Sequence, residues 1–337
     1  MRAIAFRTPG PVDAAEALVD LDLPRPAPGP RDLLVEVRAV SVNPVDAKVR
    51  GGLRPTGGEW TVLGYDAAGV VVEVGAEVTG FCPGDEVFYA GVINRPGTNA
   101  EFHLVDERIV GSKPASLGFA DAAALPLTSV TAWEALFDRL EVSRAVPGAP
   151  PALLVIGGAG GVASMTVQLA RARTDLTVIA TASRDETREW VRALGAHHVL
   201  DHRQPMAPQL EAAGLGQPGF VFSTTHSDVH REDIAALIAP QGRLALIDDP
   251  ASFDIIPFKQ KAVSIHWELM FTRPLFETAD MARQGEILNE VAALVDAGTI
   301  RTTAAEHFGT IGAENLLRAH RLIESGKARG KVVLEGF

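Results

Sequence analysis

Leu153-Leu154-Val155-Ile156-Gly157-Gly158-Ala159-Gly160-Gly161-Val162-Ala163 joins an apolar run to a glycine-rich turn, and the helix-like stretch Ser164–Arg171 follows. Such a run reads as a buried strand feeding a helix. Gly158 to Ala163 fits the pattern G-x-G-x-x-G/A. Gly158 is expected to permit the tight turn, Gly160 to let backbone approach an anion, and small Ala163 to seat the helix against the strand. The N–H groups of Gly161 and Val162, together with the positive end of the helix dipole, then face a pyrophosphate. A second β-forming run, Leu176–Ala182, follows at the distance a βαβ unit requires.

Composition narrows the possibilities. A chain of 337 residues accommodates two domains, and 47% hydrophobic with 22% charged residues describes an ordinary globular protein. The net charge of −11 argues against a nucleic-acid or anionic-membrane binder, because both need clustered positive charge. Cys82 is the single cysteine, which excludes an internal disulfide and a multi-cysteine zinc site. The N-terminal residues lack the apolar core of a signal peptide, and no segment reaches the ~20 apolar residues that span a bilayer. A soluble cytoplasmic protein is expected.

The first third is rich in β-formers. Arg2–Arg7, Leu33–Val42, Ala67–Val74, Glu86–Tyr89 and Ala100–Val105 read as strands, separated by turns such as Pro28-Gly29-Pro30, Thr56-Gly57-Gly58 and Pro83-Gly84-Asp85. Many short strands with Gly/Pro turns suggest a barrel-like domain. From Asp121 onward helices enter, and strands then alternate with helices through Leu244–Ile247, which implies a doubly wound parallel sheet. Val263–Phe271 alternates strictly and reads as the last strand of that sheet, with Trp267 in a core or an interface. Gln284–Ala297 and Ala313–Glu324 read as helices, and Thr302–His307 and Lys331–Glu335 as strands.

Several motifs together carry a family resemblance: Ser41-Val42-Asn43-Pro44-Val45-Asp46, Leu63-Gly64-Tyr65-Asp66-Ala67-Ala68-Gly69, Pro83-Gly84-Asp85-Glu86-Val87, Ala124-Leu125-Pro126-Leu127-Thr128-Ser129 and Gly330-Lys331-Val332-Val333-Leu334. With the glycine-rich turn they resemble the medium-chain dehydrogenase/reductase superfamily over essentially the whole chain. The resemblance is to its zinc-free quinone oxidoreductase and enone reductase branch, and more closely to the zinc-type alcohol dehydrogenase-like proteins. It implies a Rossmann doubly wound sheet plus a chaperonin-10-like (GroES-like) β-barrel, with the active site in the cleft between them. The domains expected are 1–127 with 272–337 for the GroES-like part and 128–271 for the nucleotide-binding part.

In zinc-dependent relatives a cysteine stands where Asn43 falls and a histidine where Tyr65 falls. Asn, Tyr and a lone Asp66 do not supply the ligand set of a catalytic zinc, so no metal is expected. His197, His198 and His202 read as polar residues at a strand entry. The strand end Thr181-Ala182-Ser183-Arg184, with Arg188 one turn on, lacks the acidic residue that binds a ribose 2′-hydroxyl. Ser183 leaves room for a 2′-phosphate and Arg184 and Arg188 neutralise it, which favours NADPH.

The resemblance places Asn43 and Asp46 at the first-domain side of the cleft, Thr128 beside the cofactor, and Lys331 closing over it. Without zinc, quinones and α,β-unsaturated carbonyls are the expected hydride acceptors, since their developing charge is delocalised. Tyr65 either donates a hydrogen bond or proton to that charge or fills the volume of a lost histidine and metal; Tyr89, His226 and Trp267 are weaker candidates. Relatives commonly form homodimers through the last strand, here 263–271. The alternatives are an alcohol dehydrogenase or aldehyde reductase, or a nucleotide-binding protein with little turnover.

Overall fold

The structure, a computed structural model, describes residues 1–53 and 58–337. The turn expected at Thr56-Gly57-Gly58 lies largely outside the described residues. The described chain forms two compact units, one of Met1–Val130 with Phe271–Phe337 and the other of Thr131–Met270.

The first unit begins with β1 (Arg2–Phe6), β2 (Val19–Asp22) and the long β3 (Asp32–Val42), followed by helix α1 (Pro44–Lys48). Then come β4 (Thr61–Val62), β5 (Ala67–Val74), β6 (Glu86–Tyr89), β7 (Phe102–Asp106), β8 (Gly111–Ser112), α2 (Phe119–Ala123) and α3 (Pro126–Trp133). Strand β3 is the hub. It pairs with β5 along one edge, and on the other edge its first half pairs with β7. Strand β2, which pairs with β1, escaped the sequence reading because its acidic alternation carries little β-propensity.

The second unit holds a parallel sheet of β9 (Ala152–Ile156), β10 (Thr177–Thr181), β11 (His198–Leu200), β12 (Phe220–Ser223), β13 (Arg243–Leu246) and β14 (Ser264–Trp267), in the spatial order β11-β10-β9-β12-β13-β14. Helices α4 (Gly161–Arg173), α5 (Asp185–Ala193), α6 (Met206–Ala212) and α7 (Ser227–Leu237) connect them. Every β9 residue is buried, as a central parallel strand covered on both faces requires. Leu154, Ile179, Val221 and Leu244 pack one face against Met206, Leu210, Ile234 and Leu237. Helix α6 was not expected; Pro205 and Pro208 sit at its start, where a missing N–H costs nothing.

The expected strand 263–271 is shorter than its pattern. Pairing with β13 covers Ser264–Trp267, after which Glu268 N–H still bonds Leu246 O (2.9 Å) and the chain turns away. Met270 and Phe271 are both buried, so the strict alternation ends there. Trp267 and Leu269 are 57% and 51% exposed on the sheet edge, so Trp267 is not a core residue of this chain.

The chain then returns to the first unit through α8 (Thr272–Leu275), α9 (Arg283–Asp296), β15 (Ala304–His307), α10 (Ala313–Glu324) and β16 (Lys331–Glu335). Strand β16 lies antiparallel to the second half of β3, with Val332 opposite Val42. Among the described residues no helix is long and apolar enough to cross a membrane.

Candidate active site

In the first unit, β3 runs into Asn43, whose extended backbone caps α1, and Pro44 starts the helix with its φ already suitable. Asp46 reaches back to accept the Asn43 N–H (2.7 Å) with one oxygen and takes the Gly64 N–H (3.0 Å) with the other. Gly64 adopts φ +111°, and a Cβ there would fall 2.4 Å from Thr98 Oγ1 and 2.8 Å from Asn99 N. Only glycine fits this bend.

Tyr65 follows directly. Its ring meets the edge of Phe271 at 5.4 Å between centroids and 69° between planes. The Asn43 amide donates weakly to Tyr65 O (3.4 Å) and more closely to Asp66 Oδ2 (2.8 Å). Asp66 also accepts the Leu127 N–H (2.7 Å) and the Lys331 ammonium (3.0 Å). Lys331 completes its three donors on Val42 O (3.0 Å) and Asn43 Oδ1. Asn43, Asp46, Asp66 and Lys331 are all buried.

Burial pushes the Asp46 carboxyl up to about 7, against its two backbone hydrogen bonds and the nearby Lys331 charge. Burial also raises Asp66, with the Lys331 ammonium as the main opposing influence.

Asn43 and Asp46, expected at the first-domain side of the cleft, are both buried and fasten the backbone on either side of Tyr65. Lys331, expected to close over the cofactor, projects from strand β16 to donate to Val42 O, Asn43 Oδ1 and Asp66 Oδ2. Thr128 donates its hydroxyl to Leu125 O (3.0 Å), just ahead of its own helix. The residues also do not fit the zinc of zinc-dependent relatives. Asp66 is saturated by N–H donors, Asn43 Oδ1 holds an ammonium, and among the described residues no group of three or more His, Cys, Asp or Glu could hold a metal. Cys82 is exposed, and the neighbouring Asp85 pushes its thiol up.

In the second unit, the expected glycine turn leaves the C-terminal end of β9. The left-handed residue is Gly157 (φ +82°) rather than Gly158, and a Cβ on it would strike Thr224 Oγ1 at 2.6 Å. Gly158 is required for packing: a Cβ there would lie 2.9 Å from Thr181 O and 3.0 Å from Ala180 Cβ. Thr181, which the sequence reading passed over, accepts the Gly157 N–H through Oγ1 (3.0 Å) and the Gly158 N–H through its carbonyl (3.0 Å). By contrast, a Cβ on Gly160 would meet nothing closer than Gly157 O at 3.5 Å. Gly160 caps α4, so the N–H groups of Gly161, Val162 and Ala163 open the helix without an acceptor a turn behind them. A turn with this open side, ending on a helix N-terminus, fits a diphosphate.

At the end of β10, Ser183 leads into Arg184, which caps α5 and pairs with Glu186 (3.3 Å). Arg188 stands 3.7 Å from Asp201, whose main partner is Arg203 (2.7 Å). Asp201, which was not singled out, follows directly after β11, one strand farther along the sheet. The histidines serve the strand ends: His197 accepts the Val178 N–H (2.8 Å), and His202 Nδ1 meets Thr181 Oγ1 (3.2 Å).

Residues 29–132 match the alcohol dehydrogenase GroES-like domain, and residues 194–334 the zinc-binding dehydrogenase family. A zinc-type alcohol dehydrogenase-like protein of Staphylococcus aureus is 37% identical over 336 residues, 99% of each chain. The chain belongs to the medium-chain dehydrogenase/reductase superfamily, in its zinc-type alcohol dehydrogenase-like branch. It shares that branch's two-domain α/β fold and is an oxidoreductase of that superfamily.

Another relative in the superfamily is the 2-methylene-furan-3-one reductase of Solanum lycopersicum, 30% identical over 90% of this chain and 71% of that protein. A solved structure of a proposed zinc-dependent alcohol dehydrogenase from Rhizobium etli CFN 42 covers 100% of this chain and 98% of its own, at 65% identity and a TM-score of 0.98.

Proposed function

We propose that this dehydrogenase/reductase takes hydride from NADPH and passes it to quinones or α,β-unsaturated carbonyls without a catalytic zinc. The observation that carries the reading is the Lys331 ammonium locked between Asn43 and Asp66, in a cluster unsuited to a metal. Without a Lewis acid, an isolated carbonyl has nothing strong to stabilise an alkoxide, whereas a conjugated acceptor spreads the charge as enolate or phenolate. The name of the tomato relative describes such an acceptor, a ketone conjugated to an exocyclic methylene.

The Gly157–Val162 turn would hold the pyrophosphate, and Ser183, Arg184 and Arg188 the 2′-phosphate of NADPH. When bound, the nicotinamide supplies the hydride. Tyr65 is then the donor to the developing oxyanion, with Asn43 and Asp46 positioning it through the backbone on either side. Phe271 packs against its ring and limits the wobble of the phenol. The exposed edge of β14, with Trp267 at its end and Leu269 just beyond it, is the surface through which a homodimer would form.

The test is NADPH consumption with an enone, a quinone and the saturated ketone of the same skeleton. The proposal requires turnover of the first two and at least about a hundredfold slower turnover of the third. Preferred reduction of the saturated ketone, or oxidation of the corresponding alcohol at comparable rate, would favour the alcohol dehydrogenase reading.

A further inference from the structure

The first unit contains a cavity of about 510 Å³, partly open to solvent, and Tyr65 forms part of its wall. Val49, Trp60, Ile93, Leu23 and Phe102 share the lining with Tyr65. Trp60 is 40% exposed, an unusual position for an indole with no core to fill. The volume falls within the range of small-molecule sites, about 300–1,000 Å³.

The charged groups described around this cavity are engaged: the Arg7 and Arg25 guanidinium groups lie over the lining rings of Trp60 and Phe102 (6.0 and 4.4 Å to the centroids), and Arg25 also approaches Glu73 (4.0 Å). Arg95 forms a two-pronged pair with Asp32 (2.8 and 2.9 Å). His103 hydrogen-bonds Tyr89 OH (3.1 Å) through one ring nitrogen and Pro96 O (2.9 Å) through the other, and burial holds it neutral, down to about 4. The N-terminal ammonium of Met1 bonds Leu23 O (2.7 Å) and faces the Glu101 carboxylate. An anionic or cationic ligand would therefore find no counter-charge to release, whereas a neutral apolar one would displace water from a mostly apolar wall.

We propose that this cavity binds the non-reacting apolar substituent of a neutral conjugated carbonyl, so that the natural acceptor carries a ring or branched alkyl group. This rests on the reductase reading and narrows it: small enones would be poor substrates and bulky neutral ones good, while acceptors with a charged substituent would be excluded.

The first measurement needs no turnover. A saturated naphthyl ketone, which accepts no conjugate hydride, is titrated into the protein while tryptophan fluorescence is followed, with Trp60→Phe assigning the signal. Saturable quenching is expected in the native protein. Leu104→Phe and Ile93→Phe, two separate fillings of the cavity, should each weaken binding at least tenfold while circular dichroism stays native. The second measurement compares kcat/KM for the matching naphthyl enone and for cyclohexenone, whose ratio should fall at least tenfold in the same variants.

Absence of saturable quenching, or equal affinity in native and filled proteins, overturns the cavity proposal whatever the turnover. Binding that depends on the cavity, with no reduction of the matching enone, supports the ligand site and overturns the reductase reading instead.

Discussion

Lys331 Nζ lies 3.0 Å from Asp66 Oδ2, and the two side chains are 3% and 0% exposed. Their positions in the sequence are 265 residues apart. The pair joins the returning strand β16 to the segment that carries Tyr65, and it does so inside the barrel rather than at its surface. Removing either member strands the other in low dielectric, so breaking this pair costs far more than breaking an exposed bridge, even though burying both charges is itself costly.

Lys331→Met should therefore destabilise the first unit by about 3–5 kcal/mol, as breaking a buried pair by removing one partner does. Urea unfolding measures it. A double variant Lys331→Met/Asp66→Leu should recover part of the loss, because no unpaired charge remains. A loss below about 1 kcal/mol for the single change would place the pair in solvent.

Asp46 supplies a pH dependence with a definite sign. Its folded carboxyl titrates near 7 and its reference value is 3.8, so the folded state binds more protons between these limits. Its contribution is present below about 4, is lost as the pH rises toward 7, and changes little beyond that. Glu268, pushed up by burial and by the adjacent Glu134, acts with the same sign at higher pH. The difference between native protein and Asp46→Asn isolates Asp46: from pH 4 to pH 7 the native melting temperature should fall relative to the variant's.

Gly64→Ala must force a Cβ into Thr98 Oγ1 and the Asn99 backbone at φ +111°. Left-handed strain alone costs about 1–3 kcal/mol. Because Gly64 precedes Tyr65, the variant should also lose reductase activity more steeply than it loses stability. Melting temperature and kcat, measured on the same preparation, separate the two.

Arg184→Ala and Arg188→Ala should each reduce the preference for NADPH over NADH by about tenfold, leaving NADH binding nearly unchanged, since a guanidinium on a 2′-phosphate is a charge-assisted contact. Isothermal titration with both nucleotides reads this directly. Equal losses with both would place these arginines elsewhere than at the 2′-position.

Tyr65→Phe keeps the ring against Phe271 and removes the hydroxyl. A proton or hydrogen-bond donor contributes roughly 10²–10⁴-fold, so kcat for an enone should fall at least about a hundredfold with a smaller change in KM. Unchanged kcat would leave Tyr65 as a volume-filling side chain.

Elements with regular local patterns were legible in the sequence. The uninterrupted apolar run of β9, the clustered β-formers of β5 and the α10 periodicity all appear where local sequence places them. What local sequence could not convey was long-range partnership. That Lys331 turns inward depends on β16 pairing with β3, and that Gly157 rather than Gly158 adopts positive φ depends on Thr224 and Thr181 crowding the turn. Likewise, the period-2 pattern of 263–271 holds beyond Trp267, but the neighbouring strand β13 ends at Leu246 and leaves nothing to pair with.

The most direct measurement of the central claim is NADPH-dependent enone reduction by protein stripped with a strong chelator and verified metal-free by mass spectrometry. The account predicts full activity, unaffected by added zinc. Activity lost on stripping and restored by zinc would contradict it, and would mean that Lys331 yields its place to a metal.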